Sequence, residues 1–178
     1  TLDELVGQTS VLGPGTALRR AIEEGRAPSM ILHGPPGVGK TTIARIVAEA
    51  SSAAFEELSA VSARVDDVRA VLARARDRLG GNGVQTVLFI DEIHRFDKRQ
   101  QDSVLHAVEE GLVTLIGATT ENPYFEVNQA LLSRCTVIEL EPLTLEELGQ
   151  VLERGAEALD AAVPADVANE IARRAGGD

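Results

Sequence analysis

A chain of 178 residues, 44% hydrophobic and 25% charged, is long enough to bury one domain and begin another. Its longest apolar runs are strand-sized, which excludes a membrane span, and no secretory, transit or lipidation signal is read. A net charge of −11 excludes a generic nucleic-acid coat, and the single Cys135 excludes an internal disulfide and fits a reducing compartment.

In chain order, apolar spacing predicts a helix over 16–25, a strand over 30–33 and a helix over 40–51. The last two are joined by Gly34-Pro35-Pro36-Gly37-Val38-Gly39-Lys40-Thr41-Thr42, a G-x-x-x-x-G-K-T loop. Its glycines carry no Cβ, so backbone N–H groups can turn inward toward an anion. The helix opening at Lys40 adds its positive dipole end, and Lys40 adds a full charge. Thr41 offers a hydroxyl to the Mg²⁺ that accompanies a nucleotide. Ile43, Ile46, Val47 and Ala50 give the helix one core-facing stripe. A dinucleotide-binding G-x-G-x-x-G fails, because Thr42 stands where the glycine after Gly37 and Gly39 would be. The loop is a nucleoside-triphosphate site.

A weak strand is predicted over 54–58, then a helix over 64–79 with Val65, Val68, Val71, Leu72, Ala75 and Leu79 on one face. Gly80-Gly81-Asn82-Gly83 reads as a break. The strand over 85–90 holds Val87-Leu88-Phe89-Ile90, apolar enough for burial on both faces, and ends in Asp91-Glu92. In open parallel sheets ligands sit at that edge. Asp91 is placed to hold the Mg²⁺ shell and Glu92 to orient and polarise the attacking water. A helix over 97–110, a strand over 113–117, a short helix near 128–133 and a strand over 136–140 complete an alternating α/β pattern. Pro142 marks a boundary: 1–142 is a nucleotide-binding α/β core, and 143–178 begins a helical lid. In the lid Leu145, Leu148, Val151, Leu152 and Leu159 make one helix, and Pro164 starts another that ends at Gly176-Gly177.

Charge is uneven. Positions 139–160 hold seven acids and one base, whereas 64–78 holds five Arg against three Asp, and His94-Arg95-Phe96-Asp97-Lys98-Arg99 is a second basic cluster. Both basic clusters read as solvated helix faces; any DNA contact would need local patches, repeated around a ring. Aromatics at 3% leave no stacking platform for bases, and Tyr124 and Phe125 read as packing residues. His33, His94 and His106 lack metal-ligand spacing; His33 reads as lining a strand end.

Two further motifs are Leu115-Ile116-Gly117-Ala118-Thr119-Thr120-Glu121-Asn122-Pro123 and Leu131-Leu132-Ser133-Arg134-Cys135. With the phosphate loop and Asp91-Glu92 they resemble an AAA+ ATPase. Leu2-Asp3-Glu4-Leu5-Val6-Gly7-Gln8, Asp91-Glu92-Ile93-His94-Arg95-Phe96 and Gln100-Gln101-Asp102 narrow the resemblance to the replication-associated recombination protein A group. That group, also called MgsA, includes the Werner-helicase-interacting ATPases and is related to clamp loaders. The resemblance spans nearly the whole chain.

It implies a P-loop fold with a five-stranded parallel sheet in the order 5-1-4-3-2, flanked by helices. Val6, Gly7 and Gln8 would lie near the adenine, and Gly34, Pro35, Pro36, Gly37, Val38, Gly39, Lys40, Thr41 and Thr42 would hold the phosphates of ATP. Thr41 and Asp91 would carry Mg²⁺, and Glu92 would act on the attacking water. Thr120 would be the sensor-1 residue, and Arg134 an arginine finger reaching into a neighbouring subunit. Ser59 would hold Glu92 in an inactive pose. A sensor-2 arginine and an oligomerisation region would follow Asp178, so the chain reads as part of a longer protein and is expected by itself to turn ATP over slowly.

The implied function is a DNA-dependent ATPase of replication-fork maintenance and recombination. Its implied partners are further copies of itself, forks, junctions or ends of DNA, and replication proteins such as single-strand-binding protein. The implied location is the cytoplasm, at the nucleoid, with no membrane. A clamp loader or branch-migration motor, and a non-hydrolysing nucleotide-gated adaptor, are the alternatives.

Overall fold

The computed structural model describes residues 1–160 together with Val167, Glu170, Ile171 and Arg174. Five strands form one parallel sheet: β1 (Met30–His33), β2 (Ala54–Ser59), β3 (Thr86–Asp91), β4 (Thr114–Thr119) and β5 (Thr136–Glu139). Their spatial order is β2-β3-β4-β1-β5, the order expected from the sequence read from the other edge. Eight helices accompany them among the described residues: α1 (Thr9–Leu12), α2 (Ala17–Glu23), α3 (Lys40–Ala50), α4 (Val65–Asn82), α5 (Lys98–Glu109), α6 (Pro123–Glu126), α7 (Gln129–Leu132) and α8 (Leu145–Ala158).

The sheet is buried on both faces, which is why its central strands are near-continuous apolar runs. In β3, Leu88 and Ile90 join a core cluster with Val68, Val71 and Val104 from α4 and α5. Val87 and Phe89 point the other way, into a cluster with Ile43, Ala44 and Val47 of α3. Each such side chain contributes about 1.5–3 kcal/mol on burial. Edge strands β2 and β5 are only partly covered.

Most elements lie within two residues of their expected bounds. The largest difference is α4, which runs through Gly80 and Gly81 to Asn82 and stops at Gly83, whose φ of 72° ends the helix in the left-handed region. A glycine costs a helix about 1 kcal/mol, too little to end one whose preceding turns pack on the core. The arginines Arg69, Arg74, Arg76 and Arg78 of α4 each pair with a carboxylate, so this cluster is an ion-paired face. Helix α8 spans the first predicted lid helix; the second, from Pro164 to Gly176-Gly177, lies largely outside the described residues. Among the described residues no helix is long and apolar enough to cross a membrane.

Candidate nucleotide site

The loop after β1 turns into α3 through Gly37 at φ 76° and Gly39 at φ 92°, left-handed conformations that only glycine adopts freely. Gly39 is the N-cap and offers no side chain, so the first N–H groups of α3 have no side-chain cap. Helices α2, α5, α6, α7 and α8 are instead capped by Thr16, Asp97, Asn122, Asn128 and Thr144. Lys40 is buried and folds back over the loop, its Nζ donating to the carbonyl oxygens of Gly34 and Pro35 at 2.8 Å each. Burial holds this ammonium below the usual lysine range, with Asp91 and Glu92 pulling it back up. An anionic phosphate beside it would favour the charged form further.

Two cavities meet at this loop. One, of about 390 Å³, is lined by Pro36, Gly37, Gly39, Lys40, Thr41 and Thr42 on one side and by Asp91, Glu92 and Thr120 on the other. Strand order explains the meeting: β1 lies beside β4, and β4 beside β3, so their C-terminal ends share one sheet edge. The second cavity, about 360 Å³, is mostly apolar, lined by Leu5, Val6, Val38, Ile46, Leu143 and Val151 together with Arg154. Gly37, Gly39 and Thr42 line both, so the loop is a wall shared by a polar cavity and a mostly apolar one. Thr41 and Asp91 bring a hydroxyl and a carboxylate to the first cavity, a hard-oxygen pair that fits a Mg²⁺ ion keeping its other positions for water and phosphate.

Several expected residues lie elsewhere. Val6 lines the apolar cavity, whereas Gln8 clamps the backbone of Glu141, donating to its carbonyl at 2.7 Å and accepting from its N–H at 3.1 Å. This clamp ties the N-terminal segment to the chain leaving β5. Arg134 lines neither cavity of its own chain; it pairs with Glu109 of α5 at 2.9 Å and is half exposed. Beside it, burial pushes the Cys135 thiol up to about 11. Ser59 ends β2 opposite Asp91 and makes no hydrogen bond to Glu92, whose Oε2 faces His94 Nε2 at 3.3 Å instead. Tyr124 and Phe125 are 59% and 84% exposed, not packed: α6 is a single turn at the sheet edge and buries only Pro123.

Leu143, Val151 and Arg154 were not singled out as site residues from the sequence. Arg154 left a trace as the one base within 139–160, and its guanidinium donates to the Glu4 carbonyl. Thr119 left none.

The family model described as ATPase family associated with various cellular activities (AAA) matches residues 30–143. The chain is 45% identical to replication-associated recombination protein A of Escherichia coli K12 over 99% of its own length and 41% of that protein's. It is 49% identical to the ATPase WRNIP1 of Dictyostelium discoideum over 88% of its length and 18% of that protein's. The chain thus spans well under half the length of these curated relatives. Among solved structures, the RuvB Holliday junction branch migration motor of Thermotoga maritima superposes with a TM-score of 0.79 at 33% identity, covering 98% of this chain and 58% of that one.

Proposed function

The chain belongs to the AAA family of ATPases, in the branch that holds replication-associated recombination protein A, and from that premise we propose that it is the ATP-hydrolysing core of a DNA-dependent ATPase serving replication-fork maintenance and recombination. One observation carries the reading: Lys40, Thr41, Asp91, Glu92 and Thr120 line a single cavity although they come from three separate stretches of chain. Lys40 and the uncapped N–H groups of α3 bind the phosphates. The apolar cavity between Val6, Val38 and Val151 takes the base. Thr41 and Asp91 would hold Mg²⁺, which when bound neutralises charge developing on the phosphates. Glu92 accepts a proton from the attacking water, and Thr120 holds the γ-phosphate or that water.

Arg134, outside its own site and half exposed, serves a neighbouring subunit's site in a homo-oligomer. The lid begins after residue 142. The DNA substrates are forks, single-strand/double-strand junctions or ends, met together with replication proteins at the nucleoid. A branch-migration motor is the second reading, favoured by the 33% identity to RuvB.

ATP turnover of the full-length protein, with and without forked DNA, tests both beside Glu92→Gln. We expect fork-stimulated turnover that Glu92→Gln abolishes while nucleotide binding survives. No Glu92-dependent turnover, with or without DNA, would sink both enzyme readings and leave the nucleotide-gated adaptor. Stimulation by four-way junctions, but not by forks or ends, would favour the second reading.

A further inference from the structure

Glu92 does not stand alone at the cavity wall. His94, in the 3-10 turn Ile93–Arg95 that follows it, turns its ring back so that Nε2 lies 3.3 Å from Glu92 Oε2. The other ring nitrogen, Nδ1, lies 2.8 Å from the hydroxyl of Thr119, the last residue of β4. Thr119 is 0% exposed, and its Oγ1 accepts the N–H of Glu121 at 3.0 Å.

The proton positions follow from what each atom can give. The Thr119 hydroxyl has one proton, and the Nδ1 lone pair at 2.8 Å is a nearer acceptor than the Glu121 carbonyl at 3.3 Å. With Nδ1 accepting, the neutral imidazole carries its proton on Nε2, aimed at the Glu92 carboxylate. The opposite tautomer would set a bare nitrogen lone pair against a carboxylate oxygen. One direction therefore runs through the whole chain, from Glu121 N–H to Thr119 Oγ1, from Thr119 O–H to His94 Nδ1, and from His94 Nε2–H to Glu92.

We propose that His94, set in one tautomer by Thr119, is the positioning residue of Glu92 and couples it to the segment that reads the γ-phosphate. Thr120, which lines the cavity, lies between the two residues that anchor the chain. The Thr119 carbonyl also accepts the N–H of Gly34 at 3.2 Å, where the phosphate loop begins. A shift of 119–121 on nucleotide binding thus reaches both the loop and the Glu92 carboxylate. The inference rests on the proposed ATPase reading.

The test is steady-state turnover and nucleotide affinity of the full-length protein. Thr119→Val keeps shape and removes the hydroxyl, and His94→Leu removes the donor; each is expected to lower kcat about 10–100-fold. KM for ATP and ADP affinity should stay within about two-fold. Thr119→Ser restores the hydroxyl, and His94→Gln restores an N–H near the Nε2 position, so each should recover most of the lost turnover. The double variant His94→Leu/Thr119→Val should be no slower than the slower single, because both cut one chain. Additive losses, equal rates for Thr119→Val and Thr119→Ser, or turnover falling in step with ADP affinity would overturn the inference. Should Thr119→Val not fold, the His94→Leu and His94→Gln pair decides: equal rates overturn the inference. If the wild type shows no turnover that Glu92→Gln abolishes, the proposed ATPase reading itself fails. If Glu92→Gln is dead and His94→Leu runs at the wild-type rate, only the coupling fails.

Discussion

Glu92 sits at φ 54° and ψ 43°, a left-handed backbone that costs a residue with a Cβ about 1–2 kcal/mol. Such strain lasts only where neighbours over-determine it. Its N–H donates to Asp91 Oδ1 at 3.1 Å, and the next residue, Ile93, is wholly buried. Ile93 finds room because Gly117 lies against it: a Cβ there would come within 2.9 Å of Ile93 Cδ1 and 2.7 Å of Ile31 Cδ1. Gly117→Ala should therefore cost about 1–3 kcal/mol in urea unfolding and lower turnover, since Glu92 moves with Ile93. Wild-type stability would mean that both isoleucines rotate aside freely. At this scale Lys40, Thr41, Asp91 and Glu92 were legible, because phosphate and metal chemistry demands those residue types at those strand and helix ends. His94 and Thr119 were not paired by the sequence. A hydrogen bond between residues 25 positions apart has no period to reveal it.

Helix boundaries follow their caps. Asp97 and Gln100 bond reciprocally at the start of α5, as do Thr144 and Glu147 at the start of α8. Helix α8 has no buried residue, so its cap matters more than it would on a core helix. Thr144→Ala should destabilise it by about 0.5–2 kcal/mol, read as faster amide exchange confined to 145–150. Unchanged exchange there would mean that tertiary contacts, not the cap, hold α8. The bounds of α4 were misjudged because glycine is weak evidence against a helix end that faces solvent: a Cβ at Gly80 or Gly81 would meet open space. The short helices α1 and α6 were missed, since four residues are too few to display a 3.6-residue period.

For the whole molecule, the parallel sheet is what makes one site of distant segments. Crossovers bring β1, β3 and β4 to a common edge, and the 8–141 clamp and the Arg154 contact to Glu4 fold the N-terminal segment and α8 over the loop. Arg134 stays outside that enclosure, paired with Glu109, so the role proposed for it in a neighbouring subunit's site is tested on the assembled protein. In the full-length protein Arg134→Ala should cut turnover by about 10³–10⁵ with nucleotide affinity intact. Mixing Arg134→Ala with Glu92→Gln subunits should recover part of it; a mixture as inactive as its components would place Arg134 in its own subunit's chemistry. The sequence by itself determined the phosphate loop, the carboxylates, the alternating α/β order and the family, because local periodicity and fixed spacings encode them. The tertiary structure alone decided that Gln8 clamps the backbone of Glu141, that Leu143, Val151 and Arg154 line the second cavity, and that Glu92 faces His94 and not Ser59. Those facts depend on which side chains the crossovers bring within hydrogen-bond reach, and short-range pattern carries no record of that.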